Sequence, residues 1–199
     1  MPHDLTRDVA AMIGSRICHD LISPVGAISN GLELLTMSGI TAGPELSLIS
    51  ESVENANARV KFFRIAFGSA SEGQKVSAAM MMDILKGIST TRLTYDWTTE
   101  GDVEREEAKL ACLLIMCVET ALPRGGEIKV QYDQGQWQIR ATGPRLTPAP
   151  ELLARLGAVS GPEGIKSSEI QFILAPLQAE ALLKQIKCTS HDEFIALTA

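Results

Sequence analysis

A histidine in a long helical pattern is the residue of this sequence best suited to chemistry. His19 lies in the run SRICHDLISP, residues 15–24. Near neutral pH an imidazole can be a neutral nucleophile or a cation, so a histidine held outward on a rigid helix can accept and release a group. Asp20 can accept the proton of the other ring nitrogen, although adjacent side chains on a helix diverge by about 100°. A helix-capping or solvated role for Asp20 is the alternative.

The positions around His19 on the same side of the helix are mostly small or polar. Residues one or two turns away share its face. Gly26 inside a helix costs about 1 kcal/mol relative to Ala, and close approach of a partner's backbone is one reason to keep it. A solvated face with an incidental glycine is the alternative. The candidate supporting or partner-docking residues are Met12, Ser15, Arg16, Ile22, Ser23, Pro24, Gly26 and Asn30.

Two long helices joined by a turn are predicted to position this face. The first covers about residues 5–37, with Asp4 or Thr6 as its N-cap. A turn over residues 37–44 follows, in which Gly39 is the expected stop signal of the first helix. The N-terminal region is therefore predicted to be a helical hairpin.

Both helices carry an apolar stripe at alternating spacings of three and four residues, the pattern of a packed helical seam. Pro44 begins the second helix and Gly68 ends it. His19 lies off the first stripe. The stripes consist of Cys18, Leu21, Val25, Ile28, Leu32 and Leu35 in the first helix, and of Leu46, Ile49, Val53, Ala56, Val60, Phe63 and Phe67 in the second.

A lone two-helix hairpin buries little of its own stripes, because each helix contacts one neighbour. Pairing of two hairpins in a homodimer completes a four-helix bundle, which is the arrangement we expect. Packing of the hairpin on the rest of its own chain is the alternative. Pro24 interrupts the helical hydrogen bonds, and the unbroken stripe favours one kinked helix over a break with Ser23 as a new N-cap.

Composition excludes several classes of protein. With 18 basic and 24 acidic residues the net charge is −6, and no basic cluster indicates binding to nucleic acid. No leader pattern and no run of about 18 apolar residues is present, so the sequence predicts no membrane span and a cytoplasmic location. The spacing of Cys18, Cys112, Cys117 and Cys188 favours buried, reduced thiols over a disulfide or a metal site.

The remaining sequence predicts a second domain. We place the domains at residues 1–70 and 75–199, separated by a small, polar linker. Beyond it we expect an α/β sandwich, with helices on one face of a small mixed sheet. The predicted helices cover residues 77–88, 103–122 and 150–156, and a further helix has a capping box of Ser168 and Gln171. The predicted strands are 92–97, 127–133, 136–141, 186–189 and 193–198.

The pattern HDLxxP at residues 19–24, followed by AIxNGxELL at residues 27–35, resembles the phosphoacceptor helix of two-component histidine kinases. It is more similar still to that of the ChpT-type histidine phosphotransferases of alphaproteobacteria. In that family a histidine of a dimeric bundle takes a phosphoryl group from the aspartate of one receiver domain and passes it to another. The resemblance implies that His19 is the phosphoacceptor, with Asp20 as its acidic neighbour.

The order of elements after residue 75 resembles the ATP-binding domain of histidine kinases, but the residues for nucleotide chemistry are replaced. Cys117 stands where a kinase has the asparagine that holds Mg²⁺, Ala141 replaces the aspartate that reads adenine, and Arg145 replaces a glycine. A thiol is a poor ligand for a hard cation. We therefore expect no ATP binding and no cofactor, with Mg²⁺ carried only by the partner receiver domain.

Two functions of different classes follow from these residues. The first is a histidine phosphotransferase that moves a phosphoryl group between receiver domains of a hybrid histidine kinase and of response regulators through His19, without kinase activity of its own. The second is a non-catalytic scaffold that binds and sequesters receiver domains. The first requires His19 and the second does not.

Overall fold

The computed structural model describes residues 2–38 and 44–199, with only the backbone described at residues 2–7, 36, 38, 44 and 45. Two helices that pack against each other form the N-terminal region: α1 spans Pro2–Ser38 and α2 spans Pro44–Ala66. The predicted stop at Gly39 and the centre of the predicted turn lie outside the described residues.

The start of α1 differs from the prediction. The helix begins at Pro2, so Asp4 and Thr6 both lie inside it and neither is the N-cap. Farther along, α1 continues through Pro24, which confirms a continuous helix and excludes a break at Ser23. Proline has no N–H, so the carbonyl of Asp20 loses its helical donor although the helix does not end there.

Only about half of the residues in the predicted apolar stripes are covered within the chain. Some members are half-buried against neighbouring elements, such as Leu21 in α1 and Ile49 in α2. Other members, seven residues apart in each helix, face solvent. These exposed members are Cys18, Val25 and Leu32 in α1, and Leu46, Val53 and Val60 in α2.

The last turns of α2 belong to the core of the rest of the chain. Phe62, Phe63, Ile65 and Ala66 are buried where α2 packs against two helices of the following domain. These helices are α3, Ala78–Ile88, and α4, Arg105–Glu119.

A small residue permits the close approach of α2 and α3. A Cβ on Gly87 would lie 2.6 Å from the Cβ of Ala58, so any larger residue would push the helices apart. Asn55 then donates from Nδ2 to the carbonyl of Gly87 at 3.0 Å. The hairpin is therefore fixed to the second domain along the C-terminal part of α2.

The second domain contains a mixed five-stranded sheet with the order β2-β4-β5-β7-β6. The pair β2 and β4 is parallel and the other pairs are antiparallel, while β1 and β3 form a separate antiparallel pair. The strands are β1 Lys75–Val76, β2 Leu93–Trp97, β3 Val103–Glu104, β4 Gly126–Asp133, β5 Gln136–Thr142, β6 Lys187–Ser190 and β7 Phe194–Thr198. The remaining helices are α5, Pro150–Ala154, and α6, Gln171–Ala181.

Local sequence chemistry accounts for two of these elements. Ser77 caps α3, because its Oγ accepts the N–H of Met80 at 3.2 Å. Gln134 and Gly135 join β4 to β5, and both have positive φ, 48° and 79°, as a two-residue hairpin turn that follows the twist of the strands requires. Both features agree with the predicted helix and hairpin.

Three local predictions for this domain are wrong. The expected helix over residues 103–122 is a two-residue strand followed by α4, because Val103 pairs with Val76. The segment predicted as one helix over residues 150–156 is α5 followed by a 3₁₀ turn at Arg155–Gly157. The expected capping box of Ser168 and Gln171 does not form, since Ile170 occupies the N-cap of α6.

The core of the second domain lies between the helices and one face of the sheet. Residues Leu110 to Val118 of α4 are all buried, which explains why every position in this part of the helix is apolar. Buried residues alternate with exposed residues along most of β5 and with half-buried residues along β7, so only one face of the sheet is covered by helices. Helices on one face of a mixed sheet are the architecture predicted for this domain.

Two of the four cysteines are buried and two are not. Cys112 and Cys117 lie in the core, and burial raises the pKa of both thiols. Cys18 and Cys188 are exposed, so the prediction of four buried thiols is wrong for these two. All four are free, as expected. Within the described part of the chain, no helix combines the length and the apolar character that a membrane span requires.

Candidate functional site

His19 faces solvent from α1, and one of its ring nitrogens is held by the next residue. Its side chain is 76% exposed, and Nδ1 lies 3.0 Å from Oδ1 of Asp20. The Asp20 side chain is only 11% exposed, because it turns from the helix toward the second domain. The ring therefore presents its other nitrogen, Nε2, to solvent while a fixed carboxylate contacts Nδ1.

Arg16 fixes this carboxylate from the opposite side. Its Nε donates to Oδ2 of Asp20 at 2.9 Å, across one turn of α1. Its Nη1 donates to the backbone carbonyl of Ser168, in the 3₁₀ turn Ser167–Glu169 that precedes α6. The Arg16 side chain is 13% exposed. Although it was predicted to share the face of His19, it lies between α1 and the second domain.

A polar cluster continues behind Arg16 in a small enclosed cavity of about 20 Å³. Glu119, at the end of α4, is the charged residue of the second domain in this cluster, and burial raises the pKa of its carboxyl. The positive charges of Arg16 and Arg59 oppose this rise, and Asp20 adds to it. The cavity is lined by Arg16, Asp20, Arg59, Tyr95 and Glu119, together with Phe62, Phe63, Ile88 and Met116.

Tyr95 of β2 is the neutral member of the cluster. Burial raises the pKa of its hydroxyl far above the ordinary value, and the neighbouring carboxyl of Glu119 raises it further. The hydroxyl therefore stays protonated and interacts with Glu119 as a hydrogen-bond partner. Elements from both regions of the molecule meet here: α1, α2, β2 and α4.

A cleft of about 880 Å³ opens beside His19, and we call it the His19 cleft. Its walls are α1 and α2 on one side and the end of α3 with the following loop on the other. Both acidic and basic residues line it, for example Glu51 on α2 and Lys86 on α3. The cleft is lined by His19, Asp20, Ser23, Pro24, Ala27, Leu48, Glu51, Ser52, Glu54, Asn55, Arg59, Asp83, Lys86, Gly87, Ser89, Thr90 and Thr91.

The other predicted site residues are distributed around His19 in different environments. Ile22 is 73% exposed one turn away, and Pro24 is buried. A Cβ added to Gly26 would meet nothing within 4 Å, so no described part of this protomer explains the glycine. Ser15, Ser23 and Asn30 are exposed, and Met12 is half-buried.

Sequence reasoning missed four residues of this site: Arg59, Tyr95, Glu119 and Ser168. Two of them had a weak signal, since Glu119 follows a run of nine apolar residues in α4 and Arg59 stands beside the apolar stripe of α2. A lone charge next to a buried surface usually has a partner. Ser168 contributes only its backbone carbonyl, which no side-chain pattern can indicate.

Comparisons with known proteins identify the family of this chain. The family model described as histidine phosphotransferase C-terminal domain matches residues 78–194. Protein phosphotransferase ChpT of Brucella abortus (strain 2308) is 32% identical over 204 residues, which cover 96% of this chain and 95% of that protein. A solved structure described as a bacterial phosphotransferase superposes with a TM-score of 0.78 at 30% identity and covers 96% of this chain and 95% of that chain.

The fold and these similarities define a histidine phosphotransferase of a two-component phosphorelay. The chain belongs to the ChpT-type histidine phosphotransferase family. This confirms the family resemblance stated from the sequence, and it favours phosphotransfer over the scaffold alternative.

Proposed function

We propose that His19 is the phosphoryl acceptor and that Nε2 is the nitrogen that forms the bond to phosphorus. The observation that carries this proposal is the geometry at the ring: the imidazole is exposed, and its Nδ1 lies 3.0 Å from a carboxylate that is largely buried. An anionic acceptor at Nδ1 favours the tautomer with the proton on that nitrogen. The lone pair of Nε2 is then free to attack.

The transfer needs little covalent chemistry from the protein. Nε2 attacks the phosphorus of an aspartyl phosphate, the N–P bond forms, and the O–P bond to the donor aspartate breaks and leaves a carboxylate. The ring gains positive charge while it keeps its proton on Nδ1, and the adjacent Asp20 carboxylate stabilises that charge. The reverse step on an acceptor aspartate regenerates the neutral ring.

Receiver domains are the partners in this proposal, both those of a hybrid histidine kinase and those of response regulators. The donor of the first step is an acyl phosphate, and Mg²⁺ is supplied at the receiver aspartate rather than by this chain. The His19 cleft extends from the acceptor ring, which supports docking of the receiver across α1 and the end of α3. Exposed Ile22 offers an apolar contact one turn from the ring.

We also propose that the second domain binds no ATP. Cys117, at the position that the family resemblance assigns to a Mg²⁺-holding asparagine, is buried in the core, and burial raises its thiol pKa well above the ordinary value. A neutral buried thiol does not bind Mg²⁺. Among the described residues, the cleft between α4 and the segment before α6 is lined by Glu119 and Glu169 and by one cation, Arg16, which is already paired with Asp20, so little positive charge is left to bind a triphosphate.

The working unit in this proposal is a homodimer. The exposed members of both stripes recur every seven residues along α1 and α2. This is the spacing of the residues with which a helix in a four-helix bundle contacts its second neighbour. The hairpin of a second copy of this chain is enough to cover these exposed residues. Close approach of that hairpin also gives a reason for Gly26, next to which one protomer leaves open space.

Incubation with a phosphorylated receiver domain tests the proposal. Wild-type protein is expected to acquire an acid-labile, base-stable phosphoryl label, and His19→Ala is expected to lose it completely while the secondary structure by circular dichroism stays unchanged. His191→Ala is the matched control, because His191 is also exposed but lies in the turn between β6 and β7. A label that persists in His19→Ala would overturn the proposal.

A further inference from the structure

We propose that Arg16 is a positioning residue through which the second domain fixes the orientation of the His19 ring. The guanidinium holds the Asp20 carboxylate and a backbone carbonyl of the second domain at the same time. This inference rests on the proposed role of His19 as phosphoryl acceptor. It assigns to the second domain a part in the transfer step.

The hydrogen bonds form a continuous chain from the ring to the second domain. Nδ1 of His19 contacts Oδ1 of Asp20 at 3.0 Å, and Oδ2 of the same carboxylate accepts from Nε of Arg16 at 2.9 Å. The chain ends where Nη1 of Arg16 donates to the carbonyl of Ser168, 152 residues away in sequence. Each oxygen of Asp20 therefore has a separate partner, which leaves the carboxylate little freedom to rotate.

The contact between His19 and Asp20 needs such support. Side chains at adjacent positions of a helix point about 100° apart, so the pair meets only if both adopt suitable rotamers. A solvated aspartate would exchange among rotamers, and most of them would leave Nδ1 without its acceptor. Arg16 holds Asp20 in the productive rotamer, and Ser168 holds Arg16.

The charges around Arg16 favour its role as the residue that positions Asp20. Its charge is offset by Asp20 on α1, and it also lowers the pKa of the Glu119 carboxyl on α4, against the effect of burial. Without a cation at this position, the two carboxylates would face each other with only Arg59 nearby. The arginine therefore joins α1 to the turn before α6, and its charge also acts on Glu119 of α4.

Lysine cannot replace this arginine. A guanidinium presents several N–H groups in a fixed planar fork, so it can donate to a carboxylate and a carbonyl in different directions. An ammonium on a flexible stem carries the same charge but has one nitrogen. Arg16→Lys therefore keeps the charge of the cluster and removes the bridge, and this separates positioning from electrostatics.

Two measurements on full-length protein test the inference. The first is the tautomer of the neutral His19 ring, read from ¹⁵N chemical shifts of the imidazole in long-range proton–nitrogen spectra. The second is the rate of phosphoryl transfer from a phosphorylated receiver. In Arg16→Lys we expect a lower fraction of the Nδ1–H tautomer and a transfer rate about 10- to 100-fold lower, because a small misplacement of a reacting atom costs that much.

Arg124→Lys is the matched control, since Arg124 is exposed in the turn after α4. It is expected to match wild type in both measurements. A second comparison tests whether Arg16 acts through Asp20, and circular dichroism of each variant verifies that it is folded. Because Arg16 acts through Asp20, adding Arg16→Lys to Asp20→Asn is expected to lower the transfer rate little further, and multiplicative losses would overturn the inference.

The tautomer measurement also separates this inference from the proposed function, because it needs no phosphoryl transfer. If Arg16→Lys leaves both the tautomer and the rate unchanged while His19→Ala loses its label, the positioning role is wrong and the acceptor role stands. If His19→Ala keeps its label, the acceptor role is wrong, whatever the tautomer spectra show.

Discussion

The helical hairpin exposes many of its large apolar side chains, whereas the second domain buries most of its own. Among the described residues, nine large hydrophobic side chains are exposed on α1 and α2, whereas five are exposed in the whole of the second domain. The helix at the centre of the second domain, α4, buries every residue from Leu110 to Val118. The second domain completes its core within one chain, and the hairpin leaves alternate members of its apolar stripes exposed.

The candidate site lies where these two regions meet. His19, the proposed nucleophile, is on the hairpin side, and the groups that hold its carboxylate neighbour reach into the second domain through Arg16. In the proposed mechanism the hairpin supplies a reactive face that a partner can reach, and the second domain supplies the rigid support behind it.

The largest effect is expected from a charge placed on the uncovered stripe of α2. Val53→Glu changes a side chain that is 40% exposed in the protomer. In the proposed dimer this position is buried, so the carboxylate would be desolvated without a partner and the dimer should dissociate completely at micromolar concentration. Light scattering coupled to size exclusion should then give half the wild-type mass.

Val159→Glu is the control for this experiment, because Val159 has a similar exposure, 46%, but lies in the second domain. It should leave the mass unchanged. Cys18 gives an independent measurement, since it lies on the same uncovered surface as Val25 and should react with a thiol reagent faster in Val53→Glu than in wild type. A wild-type mass equal to that of one chain would refute the dimer.

Much of the fold followed from local patterns that the structure retains. Periodicity predicted α1, α2 and α3, and the dipeptide Gln134-Gly135 predicted the hairpin of β4 and β5. The errors occurred where tertiary pairing overrides a local signal. Val103 continues an apolar pattern that reads as helix, but pairing with Val76 makes it a strand.

The site could be predicted only in part, because its members come from five distant segments. His19 and Asp20 are adjacent in sequence, so a motif finds both. Arg16 lies at helical spacing from His19 and was assigned to the solvent face, but the second domain packs there and turns its guanidinium inward. No periodicity of α1 contains that information, since it depends on where a segment 152 residues away folds back.

Removal of a core side chain should cost the second domain more than the hairpin. Leu114→Ala in α4 creates a cavity in a fully buried region, and it is expected to lower the free energy of unfolding by about 2–5 kcal/mol. Leu48→Ala in α2 removes the same atoms from an exposed site and should change it by about 0.5 kcal/mol or less. Urea denaturation followed by circular dichroism measures both.

Equal decreases in the free energy of unfolding for the two variants would show that α2 is as tightly packed as α4. The difference in packing between the hairpin and the second domain would then be wrong. A loss for Leu48→Ala that grows with protein concentration would instead place Leu48 in the dimer interface. Because unfolding is then coupled to dissociation, the measurement is made at two concentrations.

The smallest effect is expected from the buried carboxyl where the two regions join. Burial raises the pKa of Glu119 above its ordinary value of 4.5, so the folded protein binds its proton more tightly than the unfolded chain does. The stabilisation from this proton is complete below pH 4.5 and is lost as the pH rises through the folded pKa. Glu119→Gln cannot titrate and lacks this loss, so wild type should become less stable relative to the variant as pH rises from 4.5 toward neutrality.

Urea denaturation of both proteins across that range gives the difference, and Glu72→Gln, at an exposed site, controls for the change in net charge. A difference between wild type and Glu119→Gln that is constant or changes in the opposite direction would mean that Arg16 and Arg59 outweigh burial and keep this carboxylate ionised as a structural anion.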